Sequence, residues 1–139
     1  MANPGPASVT SSHPSNLGTN QALRLLAVYQ GVNLNATGDT VLPIINSSSY
    51  SVKTVVVTNA SISLTSAAAG LFTAPSAGGT GIVANAALSA LTGPTVVSER
   101  TVASTAVQTG QNLYFNVGTA QGAAATGDVY VYGYDLTAQ

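Results

Sequence analysis

The side chains that titrate at or below neutrality number five: the carboxylates Asp39, Glu99, Asp128 and Asp135 and the imidazole of His13. General acid–base catalysis needs such groups to converge on one point with shifted pKa values. The four carboxylates lie far apart along the chain, and no pair of them has the spacing of an EF-hand or zinc motif. They read as solvated side chains. His13 stands beside Pro14 in a polar stretch with nothing to hold it against a nucleophile, so no Ser/His/Asp arrangement is expected. Glu99 and Arg100 are consecutive, and in a strand they point to opposite faces and need not pair.

A second pattern is Gly79-Thr80-Gly81-Ile82-Val83-Ala84, a GxGxxA run with Glu99 downstream at a distance suited to a ribose ligand. In a dinucleotide site such a run follows a buried parallel strand and opens a helix, placing the pyrophosphate at the helix N-terminus. Here it follows Thr73-Ala74-Pro75-Ser76-Ala77-Gly78, which reads as a loop, and the chain lacks alternating strand and helix units. No dinucleotide or other cofactor, no metal and no catalytic residue is expected. The stretch QNLYFNVG at residues 111–118 superficially resembles a protease-tag site, but Leu113, Phe115 and Val117 alternate as a native strand does.

The composition bears on what kind of surface could position any of these groups. Of 139 residues, 45% are apolar, enough for one core, yet only 5% are charged, where an ordinary soluble domain has about a quarter. With three basic residues, Arg24, Lys53 and Arg100, and a net charge of -1, clustered cations for phosphate binding are missing, so nucleic acid is not an expected partner. Cysteine is absent, which excludes a disulfide framework and thiolate metal sites. The uncharged stretch at residues 54–98 is interrupted by Asn59, Pro75, Gly78, Gly79, Asn85 and Pro94, so it gives no membrane span. Neither does the N-terminus read as a secretory signal. Asn35, Asn46 and Asn59 begin glycosylation-like triplets, which a chain rich in Ser and Thr produces by chance. A surface kept wet by hydroxyls and amides has little electrostatic protection against association.

Residues 1–20 are Pro, Ser, Asn and Gly with almost nothing apolar in register, and read as an extended arm. Residues 21–139 read as one body of about eight strands separated by turn residues. The expected strands are residues 23–28, 40–45, 50–58, 62–64, 70–74, 95–103, 113–117 and 128–136. Pro43 assigns its strand to an edge, because it has no N–H to donate. The β-branched run of residues 50–58 suits a central strand. Ala and Leu, with Leu88 and Leu91 three apart, predict one short helix over residues 85–91. The expected fold is all-β, an antiparallel sandwich of jelly-roll type.

In the last strand Tyr130, Tyr132 and Tyr134 alternate with Val129, Val131 and Gly133, so the tyrosines share one face and the aliphatic face turns to the core. The tyrosine row is either cross-strand packing or a contact surface.

Val55-Val56-Val57-Thr58-Asn59-Ala60-Ser61, Leu71-Phe72-Thr73-Ala74-Pro75 and the stretch of residues 119–133, TAQGAAATGDVYVYG, resemble small head proteins of tailed bacteriophages. The chain is similar to capsid cement, or decoration, proteins with a jelly-roll fold. The resemblance covers most of residues 21–137 and includes no catalytic signature. It implies a non-enzymatic virion protein, made in the host cytoplasm, that binds the outside of the capsid and bridges neighbouring major capsid subunits. Low charge adds an expectation of homo-oligomers, dimers or trimers. The candidate contact residues are Tyr130, Tyr132 and Tyr134 on the last strand, and His13 and Pro14 in the arm. The alternative reading is a ligand-binding or host-adhesion module of a phage tail or fibre, its tyrosines stacking on sugars.

Overall fold

A computed structural model describes residues 23–137. Among these there are eight strands and no helix: β1 (Arg24–Asn33), β2 (Gly38–Pro43), β3 (Tyr50–Thr58), β4 (Ala68–Ala74), β5 (Gly78–Ala87), β6 (Val97–Arg100), β7 (Asn112–Thr119) and β8 (Thr126–Asp135). They form two four-stranded sheets, β1-β8-β3-β6 and β2-β7-β4-β5, with every pairing antiparallel. The pairs β4·β5, β3·β6, β2·β7 and β1·β8 nest around one another, so the chain runs as a hairpin wrapped into a two-sheet sandwich. As their compositions predict, β2 with Pro43 lies at an edge and the β-branched β3 lies inside its sheet.

Period-two alternation builds the core. Val129 and Val131 of β8, Val55 and Val57 of β3, and Leu113, Phe115 and Val117 of β7 all turn inward and are buried. Bulges adjust this pattern locally. Leu26 and Ala27 are consecutive yet both fully buried, because the β1–β8 register shifts between Leu25 and Ala27. Leu34, Leu64, Leu88, Leu91 and Ala125, outside the strands, close the core at its ends.

Three local expectations are corrected. Residues 85–91 are not helical: they finish β5 and then turn, with Leu91 N–H bonded to Leu88 O at 2.9 Å. Helix propensities differ among ordinary residues by at most about 0.7 kcal/mol each, whereas burying one leucine is worth roughly 1.5–3 kcal/mol. The extended path buries both Leu88 and Leu91 while Ala86 and Ala87 stay in the ladder against β4. Residues 62–64 form no strand. They lie in the loop after β3, where Leu64 N–H bonds to Leu91 O and Ile62 is exposed. The strand expected over 95–103 is confined to β6, and the chain beyond it runs beside other elements through single bonds, Ala103 N–H to Ile82 O at 2.7 Å and the Tyr50–Gln108 bridge.

The Pro75 to Gly79 break is a tight hairpin joining β4 to β5. Ser76 and Ala77 have φ of 58° and 57°, and Gly78 N–H bonds to Pro75 O at 3.1 Å. Two positive central φ values with this bond make a type I′ turn, whose twist matches the flanking strands. Neither residue is the glycine or asparagine such a turn prefers, so the conformation must be held from outside. Asp39 of β2 helps to hold it, accepting Ser76 N–H at 2.8 Å.

Candidate interaction surface

The carboxylates are spread over the sandwich, and three of them tie its loops and bulges. Asp39 accepts from Asn116 Nδ2 at 2.8 Å as well as from Ser76. Asp128 is buried and accepts from Gly31 N–H at 2.9 Å and Asn59 Nδ2 at 3.1 Å. Gly31 lies where the β1–β8 register shifts, so its N–H needs an acceptor outside the ladder. Asp135 accepts from Ser47 Oγ at 2.7 Å and Thr137 N–H at 3.0 Å, and pairs with Arg24 Nε at 3.5 Å. The expectation of solvated carboxylates is therefore corrected for Asp128 and Asp135. Backbone N–H groups released by bulges and strand ends recruit them.

Arg24 also donates to the carbonyls of Leu25, Ile45 and Asn46, joining the start of β1 to the segment after β2. Burial pushes the Asp135 carboxyl up, but bonds from Ser47 and Thr137 and the Arg24 charge outweigh it and hold the pKa at about 2, below the ordinary 3.8. A depressed carboxyl pKa contributes stability that is fully present above the unfolded value and disappears as pH falls through the folded one. The stability difference between the parent and Asp135→Asn is thus expected to be constant near neutrality and to shrink between about pH 4 and pH 2. Urea unfolding at several pH values measures it, and a difference of constant size down to pH 2 would refute the assignment.

The GxGxxA run lies inside β5, an antiparallel edge strand entered from the type I′ turn, not at the opening of a helix after a parallel strand. Its Gly81 sits against the ring of Phe72. Glu99 and Arg100 of β6 line a shallow groove of about 220 Å³ beside Val83, Ala84 and Ala86. Arg100 is half-buried and donates to Ser98 Oγ at 3.2 Å and Ala87 O at 3.1 Å, while burial lowers its pKa. Among the described residues no cluster of three or more His, Cys, Asp or Glu is placed to hold a metal ion.

Tyrosines 130, 132 and 134 share the outer face of the β1-β8-β3-β6 sheet. Across the sheet Tyr130 stands between Val28 and Val56, and Tyr132 between Leu25 and Thr54; both rings are half-buried. Tyr134, opposite Ser51, is 38% exposed. Tyr130 Oη accepts from Gln30 Nε2 at 3.0 Å. Just past the end of β8, Leu136 is 46% exposed. Tyr130 and Tyr132 thus pack across strands, while Tyr134 and Leu136 are exposed.

Sequence reasoning missed Gln121, whose loop carries no motif. Its buried carboxamide accepts from Ser66 N–H and Ala67 N–H, both at 3.0 Å, and donates to Ser63 O at 3.3 Å and Thr65 Oγ1 at 3.1 Å. Also unmarked by any motif is the buried Tyr50, whose hydroxyl donates to Gly110 O at 2.6 Å. Burial pushes that hydroxyl up to about 12. The arm, with His13 and Pro14, lies outside the described residues. Comparison of the chain with protein-family models, with curated proteins and with solved structures finds no match.

Proposed function

We propose that this chain is a structural virion protein that binds the outside of a bacteriophage capsid and cements neighbouring major capsid subunits. The observation that carries this reading is an all-β surface that is apolar in places and almost without charge. Asp39, Lys53 and Glu99 are its exposed charged side chains among the described residues, whereas Val41, Ile62, Val97 and Val107 are exposed at separate places on strands and loops. Such a surface suits broad contact, in which packing and neutral hydrogen bonds carry affinity and salt screens little. Repetition over a shell then multiplies modest single-site affinities. The resemblance of residues 55–61, 71–75 and 119–133 to phage head proteins supplies the partner. Asp39, Asp128 and Asp135, separated and engaged in hydrogen bonds, serve the fold in this reading.

The purified chain, added to undecorated heads, is expected to co-sediment with them at hundreds of copies per particle and to lose little occupancy between 50 mM and 500 mM salt. Electron microscopy of labelled particles locates the copies. Binding of a few copies at the tail would favour the adhesion reading, and no binding at all would reject both.

A further inference from the structure

The outer face of the β1-β8-β3-β6 sheet holds a pair of charges whose arrangement bears on what covers it. Along β8 this face presents Tyr130, Tyr132 and Tyr134, flanked by Leu25, Val28 and Val56. Two ionised side chains border this apolar stripe. Lys53 is exposed at the β3 bulge between Val52 and Thr54, and Glu99 of β6 stands opposite Val56 and is also exposed. Among the described residues neither has an ion-pair partner, the one salt bridge being Arg24–Asp135.

The geometry points to a two-fold homodimer formed by this face, in which Lys53 of each copy meets Glu99 of the other. A two-fold interface is self-complementary: where one residue contacts a second, the second contacts the first. One cation and one anion on the same face meet that condition. By strand geometry their Cα positions are roughly 11 Å apart, three residues along β3 and one strand across. A two-fold axis lying in the plane of the interface, midway between them, crosses β8 near Tyr130 and Tyr132. The central rings then pack against their symmetry mates, and the charge pairs flank them, each joining Lys53 on the inner strand β3 of one copy to Glu99 on the edge strand β6 of the other.

The size of the face agrees. Four strands at about 4.8 Å and a ten-residue β8 at about 3.4 Å per residue give roughly 600 Å² in projection, and side-chain relief brings this towards the ~800 Å² per partner of a standard interface. Tyrosine at the centre is the distribution such interfaces show.

Sedimentation of the full chain over a range of concentrations tests this, using K53E, E99K and the K53E/E99K double variant. All three alter exposed side chains, and circular dichroism verifies their folding. The parent is expected to be a reversible dimer. Each single substitution sets like charges against each other at two symmetric positions and is expected to raise the dissociation constant about tenfold or more. The double variant restores opposite charges and is expected to return to within about threefold of the parent. A monomeric parent at the highest concentration would overturn the proposal, as would a double variant no better than the singles. A monomeric chain whose single variants lose head occupancy would assign the face to the shell instead. The dimer stands independently of capsid binding, since head occupancy is measured separately.

Discussion

Replacing Gly133 with alanine is expected to destabilise the fold by at least about 3 kcal/mol, and replacing it with valine to leave little native protein. Gly133 continues the inward row of Val129 and Val131 in β8 and pairs with Val52 of β3 and Arg24 of β1. A Cβ added there would collide with the carbonyl oxygen of Ser51 and lie 3.0 Å from its carbonyl carbon and 2.8 Å from Leu26 Cδ1. Two of these neighbours are backbone of the adjacent strand, so relief requires moving β3 away from β8 at the middle of the sheet. Leu26 has little room to yield, being fully buried. With total stabilities of roughly 5–15 kcal/mol for a domain, such a loss is a large share. Thermal unfolding should show a fall of about 10 °C for Gly133→Ala. Gly93→Ala is the control, because a Cβ at Gly93 meets nothing within 4 Å. If the Gly133→Ala melting temperature stays within 2 °C of the parent, the close approach is not what requires glycine.

Gln121→Leu is expected to cost about 2–5 kcal/mol although leucine nearly matches glutamine in size and is more apolar. The carboxamide uses its oxygen twice and its nitrogen twice, organising residues 63–67 around the loop that leads into β8. Leucine leaves the N–H groups of Ser66 and Ala67 without their acceptor. The Ala67 N–H is buried, and orphaning it costs about 1–3 kcal/mol, with a smaller loss at the exposed Ser66; together these exceed what leucine gains by burying extra apolar area at this already covered position. Gln121→Glu is the informative partner: it keeps the acceptor for the two N–H groups but turns a carboxylate towards Ser63 O and Thr65 Oγ1. It should therefore be destabilised as well, and relieved at low pH, where the protonated acid regains a donor. Denaturant unfolding at pH 7 and pH 4 reads both effects. A Gln121→Leu protein as stable as the parent would show that water satisfies these groups unaided.

The arrangement of the sheets was legible where side-chain chemistry acts locally. Pro43 lacks an N–H, so β2 had to be an edge; the valines of residues 50–58 suit a strand with neighbours on both sides; and Val129, Val131 and Gly133 alternate with the tyrosines, so one face had to be the core. Residues 85–91 and 62–64 were misread because Ala, Leu and Ile carry weak intrinsic preferences. Burial of Leu64, Leu88 and Leu91 against distant strands outweighed those preferences.

For the candidate surface, period two alone put Tyr130, Tyr132 and Tyr134 on one side of β8, because successive side chains of any strand alternate. It did not decide which of them would be exposed. That depended on cross-strand neighbours, Val28 and Val56 beside Tyr130, Leu25 and Thr54 beside Tyr132, and only Ser51 opposite Tyr134. Tertiary structure alone brought Lys53 and Glu99 to the border of the same stripe, through a bulge in β3 and the register of β6. It also carried Asp128 and Asp135 from expected solvent to the N–H groups of Gly31 and Thr137. Composition by itself determined a weakly charged, β-rich body, since both follow from residue types. The partners of each polar group were decided by long-range pairing, because a bulge or strand end creates an unpaired N–H whose acceptor can come from anywhere the fold brings near.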